Sequence, residues 1–138
     1  MNRIASQGPY EIEWTVGPSD IDQLGHVNNI VYLHWVQDVA VEHWYAAATE
    51  QQKALYLWVV AKHEIEYKRP AVLGDVLLVR TWVGKATHRL FTRHTEVCRR
   101  SDHKLIARAV SLWAPIDPTS KRPVRPGPDV YEMFSVGD

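Results

Sequence analysis

Residues Asp20–Trp35 read DIDQLGHVNNIVYLHW: two carboxylates, a glycine and an asparagine pair stand directly before a helical hydrophobic pattern. Asn28 or Asn29 can cap the first turn of that helix. A carboxylate at a helix entrance is favoured by the positive end of the helix dipole. Unpaired amides of the first turn can receive a carbonyl oxygen and the negative charge that develops on it. Asp22 is therefore the leading candidate for a base or nucleophile, with an Asx-turn as its plain structural alternative. Asp20 is closer to the preceding strand and reads as structural. Gly25 suits a special dihedral or close backbone approach, and a turn glycine would serve equally.

Working outward, the pattern over Asn29–Thr49 places Ile30, Leu33, Val36 or Gln37, Ala40 and Trp44 at spacings of three and four. It predicts one helix of about 30 Å. Upstream, Tyr10–Val16 alternates as a strand and ends at Gly17-Pro18-Ser19. Downstream the period changes, predicting strands over Leu55–Tyr67, Val76–Val83, Thr87–Cys98 and Leu105–Pro115, with a hairpin turn at Gly84-Lys85. Asp117–Pro128 carries four prolines and should run over the surface or along a neighbour. A last helical turn is expected over Asp129–Phe134. The fold class is α+β: about five antiparallel strands curved around one long helix whose apolar stripe they bury. Six tryptophans and six tyrosines make covering of the outer surfaces by a second copy plausible.

Composition narrows the rest. At 138 residues the chain suits one domain, residues 1–138, and 46% hydrophobic content is that of a globular protein. Lys plus Arg and Asp plus Glu balance at 16 each, which argues against nucleic acid as a partner. One cysteine, Cys98, gives no disulfide framework. With no signal-like apolar core and no run of 18 apolar residues, no membrane span and a cytoplasmic location are expected. The histidines are scattered, no HExxH or cysteine pair is present, and no metal is expected. Glycine-rich nucleotide loops and the GxSxG elbow are missing as well. His26 could donate to a substrate, although a lone histidine more often packs or sits on the surface. His34 and Asp38 are four apart on the helix and suit a surface pair.

The arrangement resembles the hotdog-fold acyl-CoA thioesterases of the 4-hydroxybenzoyl-CoA thioesterase type. The pattern D-x-D-x-x-G-x-V-x-x-x-x-Y-x-x-W is met by Asp20, Asp22, Gly25, Val27, Tyr32 and Trp35. Gly25-His26-Val27-Asn28-Asn29 is also similar to a segment of plant acyl-carrier-protein thioesterases, and Ile65–Ala71 with Leu73-Gly74-Asp75 to the family's second strand and following turn. The resemblance implies an enzyme that releases a carboxylic acid and coenzyme A. Asp22 would be its catalytic residue and amides near Asn28–Ile30 would polarise the thioester carbonyl. Gly25, His26, Asn28, Asn29, Ile30, Tyr32, Lys68 and Arg69 would form the substrate-binding set, with Arg99 and Arg100 as further phosphate contacts. The helix acids Asp38 and Glu42 rank below Asp22. No cofactor is implied beyond the coenzyme A of the substrate, an acyl-carrier protein stays open as the carrier, and a homodimer or homotetramer is implied. The competing reading is a non-catalytic acyl-CoA or acyl-carrier-protein binding module. A hotdog hydratase would want a paired Asp and His segment that this sequence lacks.

Overall fold

Strands β1 (Tyr10–Thr15), β2 (Leu57–Tyr67), β3 (Val76–Ala86), β4 (Phe91–Arg99) and β5 (Leu105–Ile116) form one antiparallel sheet in the order β1-β3-β4-β5-β2. The computed structural model describes residues 9–134. Alternation fixes the faces. Leu77, Val79, Thr81 and Val83 of β3 and Phe91, Arg93, Thr95 and Val97 of β4 point to the buried side. Helix α1 (Asn29–Ala47) lies on that side and buries Tyr32, Trp35, Val36, Val39, Ala40, His43 and Trp44. Helix and sheet enclose two clusters. The first, near the start of α1, contains Val27, Tyr32, Trp35, Val39, Leu77, Val79 and Val97. The second, near its end, contains Trp44, Tyr56, Val83, Phe91, Val130 and Phe134. The expected α+β hotdog architecture is the one observed.

Three details differ from what the sequence predicts. The buried stripe of α1 keeps Val36, Ala40 and Trp44 of the expected series and adds Tyr32, Trp35, Val39 and His43, while Ile30 is 56% exposed. In the first turns Ile30-Leu33 and Tyr32-Trp35 both have helical spacing, and the aromatic pair is the one that is buried. The helix stops at Ala47, and a second short helix, α2 (Glu50–Leu55), precedes β2. Thr49 Oγ1 accepts from the Gln52 amide at 3.0 Å and Gln52 Oε1 accepts from the Thr49 amide at 2.9 Å, a capping box that starts the new helix. Third, β3 continues through Gly84-Lys85, and the turn falls at Thr87–Leu90, where Thr87 Oγ1 accepts from the amides of Arg89 and Leu90. Gly84 serves close approach instead, since a Cβ there would lie 2.8 Å from His94 Nε2.

The proline-rich segment runs over the surface, one of the two courses expected of it. It folds back over the domain: the Val124 amide donates to the Pro115 carbonyl and the Gly127 amide to the Tyr56 hydroxyl. Helix α3 (Pro128–Met133) follows, and Val130 and Phe134 complete the second cluster. Among the described residues no helix is long and apolar enough to cross a membrane.

Candidate active site

The loop before α1 is built by hydrogen bonds among neighbours in sequence. Asp20 Oδ2 accepts from the Gly17 amide at 2.9 Å and closes a 3-10 turn over Pro18–Asp20, the structural role expected of it. A bridge between Ile21 and Val27 then pinches off a tight loop, in which the Asp22 amide donates to the His26 carbonyl at 2.8 Å. Gly25 closes the loop with its amide on the Asp22 carbonyl at 3.1 Å and a φ of +81°, a conformation that L side chains resist. The Val27 amide on the Ala71 carbonyl, at 2.9 Å, ties the loop to the segment after β2.

Asp22 takes the Asx-turn role expected as its structural alternative. Its Oδ1 accepts from the amides of Leu24 at 2.8 Å and His26 at 3.3 Å, which is an Asx-turn. Those bonds fix the carboxylate and leave Oδ2 without a donor among the described residues. At the helix start, Asn28 is the cap: its Oδ1 accepts from the Ile30 amide at 3.1 Å, and its own amide donates to the Asp20 carbonyl at 2.8 Å. Of the three amides expected to be available at Asn28–Ile30, the first and third are thus spent inside the protein. The Asn29 amide remains without an acceptor among the described residues.

These groups line a cleft of about 420 Å³ together with Leu24, His26, Val27, Tyr32, Tyr67, Lys68, Arg69 and Pro70. Most of the substrate-binding set named from sequence is brought together there. Gly25 and Ile30 act from behind the lining, as loop closure and helix turn. Tyr67 is a wall residue that the sequence reading did not single out. It reaches from the end of β2, donates its hydroxyl to the Asn29 carbonyl at 3.2 Å and meets Tyr32 edge-on at 5.5 Å. Burial pushes the Tyr32 phenol above its ordinary pKa, so it stays a neutral wall. Lys68 and Arg69 put two cations on one lip, with Arg69 Nη1 also donating to the Leu105 carbonyl at 2.9 Å.

Arg99 and Arg100 stand elsewhere. Arg99 is engaged by Asp75, Asp102 and the Pro70 carbonyl, and Arg100 by Glu13 at 2.8 Å. Both are therefore structural pairs and not lip residues. Asp38 and Glu42 are exposed on α1 and are not part of the cleft lining.

A family model for the thioesterase-like superfamily matches residues 16–134. The chain belongs to the thioesterase-like superfamily. Thioester hydrolysis is accordingly the class of reaction to be matched to the cleft. This thioesterase-like chain is 30% identical over 73 residues to the chloroplastic acyl-[acyl-carrier-protein] hydrolase FATB3 of Cuphea viscosissima, a stretch covering 53% of this chain and only 18% of that protein. Among solved structures, it superposes on the 1,4-dihydroxy-2-naphthoyl-CoA thioesterase Slr0204 from Synechocystis with a TM-score of 0.80, at 19% identity, over 93% of this chain and 96% of that one. SAV2348 from Staphylococcus aureus, solved in complex with CoA, gives a TM-score of 0.84 at 16% identity, over 94% and 83% of the two chains. At these identities the two structures speak to the fold.

Proposed function

We infer that this member of the thioesterase-like superfamily hydrolyses acyl-CoA thioesters, releasing a free carboxylic acid and coenzyme A. One observation carries the reading: a fixed carboxylate with one oxygen free and a helix-terminal amide with no acceptor border the same cleft. They are complementary to the two needs of acyl transfer. The Asn29 amide, at the positive end of α1, receives the thioester oxygen as it becomes negative. Asp22 either takes a proton from the attacking water or attacks the carbonyl carbon itself. In both routes the C–S bond breaks, the sulfur leaves as a thiol after protonation, and one water is consumed overall. In the second, the acyl group first rests on Asp22 as an anhydride that water then opens.

Lys68 and Arg69 are suited to the phosphates of the carrier at the lip. Edge strand β2, with Leu57, Val59 and Tyr67 between 42% and 45% exposed, supports assembly into a homodimer or homotetramer through that edge.

The test is thiol release from short, medium, long, branched and aromatic acyl-CoAs by wild type and Asp22→Asn. Single turnover in ¹⁸O-water tests the second route: label in the Asp22 carboxylate, in place of the released acid, marks an anhydride that water opens at the Asp22 carbonyl. Binding of CoA thioesters with no turnover by wild type would replace the enzyme reading with that of a binding module.

A further inference from the structure

The second half of α1 covers a feature that thioester cleavage at Asp22 does not use. Arg93, on an inward position of β4, is only 5% exposed. Its Nη1 donates to His43 Nδ1 at 2.9 Å and to Thr81 Oγ1 at 3.1 Å, and its guanidinium lies 5.5 Å from the Phe134 ring centre. All of these partners are neutral. No described carboxylate pairs with Arg93, whereas the arginines at positions 80, 99, 100 and 108 all have one. Its Nε and Nη2 hydrogens have no acceptor among the described residues.

Arg93 lines a pocket of about 170 Å³, walled by Trp44, Trp58, Phe91, Trp113 and Phe134 among others. The indole N–H groups of Trp58 and Trp113 are both buried without an acceptor. Bonded to Arg93, His43 accepts at Nδ1, which puts its hydrogen on Nε2, and that atom has no partner among the described residues. These leftover groups are all donors, and of the two cations on the pocket lining Lys53 is paired with Glu50 at 3.0 Å while Arg93 has no described carboxylate. An unpaired charge out of water costs several kcal/mol on the order-of-magnitude scale, and unsatisfied donors add to it. What such a pocket lacks is a single anionic acceptor on an apolar body.

We propose that the Arg93 pocket binds an apolar carboxylate, with Arg93 as counter-charge. One guanidinium balances one carboxylate. A phosphate monoester would bring nearly twice that charge, and a neutral amide would leave the guanidinium uncompensated. Burial lowers the Arg93 pKa to about 9, so it stays cationic near neutrality, and burial together with the Arg93 charge holds His43 at about 3, hence neutral. The aromatic walls suit an alkyl or aryl body. Ala40, on this pocket's rim, is about 16 Å along α1 from Asn29. The carboxylate can therefore be the far end of a long ω-carboxyacyl thioester or a free carboxylic acid.

The binding arm titrates the full chain with octanoate and with octanamide, followed by tryptophan fluorescence. Octanoate should bind at least about tenfold tighter, and this preference should vanish in Arg93→Met while surviving in a Lys68→Ala/Arg69→Ala double variant. Equal affinity for acid and amide in wild type overturns the site without any variant. A preference that survives Arg93→Met and is lost in the double variant overturns it too, because the acid then sits in the Asp22 cleft. The turnover arm compares hexadecanoyl-CoA with its ω-carboxy counterpart. A lower KM for the latter in wild type, absent in Arg93→Met, assigns the pocket to the substrate's far end. Octanoate binding without that KM difference assigns it to a free acid. Only the turnover arm rests on the thioesterase reading, and a chain that cleaves neither thioester still answers the binding arm.

Discussion

The two ends of α1 hold their polar groups differently. At the entrance, the loop over residues 20–29 engages most of its backbone amides and one Asp22 oxygen in its own hydrogen bonds. Left over on the cleft lining are Asp22 Oδ2 and the Asn29 amide, an acceptor and a donor of the kind a reacting carbonyl needs. Toward the other end, Arg93, Trp58 and Trp113 leave donors alone, around a net positive charge. A remainder of both kinds is suited to moving a proton and holding an oxyanion. A remainder of one kind is suited to holding a ligand still. Subtracting the internal hydrogen bonds thus separates a chemical site from a binding site more sharply than burial does, because the chemical one is the more exposed of the two.

The largest effect should come at the entrance. Asp22→Asn keeps an oxygen for the Leu24 and His26 amides and removes the base, so unfolding should be nearly unchanged while kcat falls by about 10²–10⁴-fold. Thiol-release kinetics beside urea unfolding measure both. Full activity in this variant would break the contrast at its stronger end and pass the carboxylate's role to Asp38 or Glu42.

Next in size is an acid sensitivity belonging to the far end. His43 is neutral in the fold, with its pKa lowered from 6.5 to about 3 by burial and by Arg93. In the unfolded chain it protonates near its ordinary value. Between those limits the unfolded state binds the extra proton, so stability present above pH 6.5 is lost as pH falls toward 3. The slope is about 1.4 kcal/mol per pH unit, or about 2 kcal/mol by pH 5. His43→Gln, which retains an acceptor for Arg93, should flatten that part of the profile. Urea midpoints at about pH 7 and about pH 5 for both proteins read the difference, and parallel losses would mean that His43 is not the group being titrated.

The same contrast explains what could be read in the sequence. The entrance site lies within ten consecutive residues, and its turn, cap and carboxylate are local features that spacing alone exposes. Tyr67 escapes because it reaches Asn29 from 38 positions away, through the register of β2. The far pocket joins His43 to Arg93 across 50 positions and Thr81 to Arg93 across 12, contacts made only once helix and sheet have packed. One signal was available: Arg93 stands at an inward position between Phe91 and Thr95, where alternation asks for an apolar residue. The helix phase was ambiguous for another reason, since Ile30-Leu33 and Tyr32-Trp35 both have helical spacing and only the sheet chooses between them. Thr49-x-x-Gln52, by contrast, was a legible helix start hidden by the longer pattern before it.

The smallest effect refines how the entrance works. Gly25 has φ +81°, and a Cβ there meets no atom within 4 Å, so Gly25→Ala meets a backbone cost and no clash. That cost is about 1–2 kcal/mol. If the loop's function is to hold the Asp22 carboxylate in place, activity should drop further than stability does, with kcat lowered and KM nearly unchanged. The two parameters of a single acyl-CoA, measured where the variant remains folded, decide it. A KM rise with kcat intact would mean that the turn positions the substrate's carrier, leaving Asp22 to be held by its own two amide bonds.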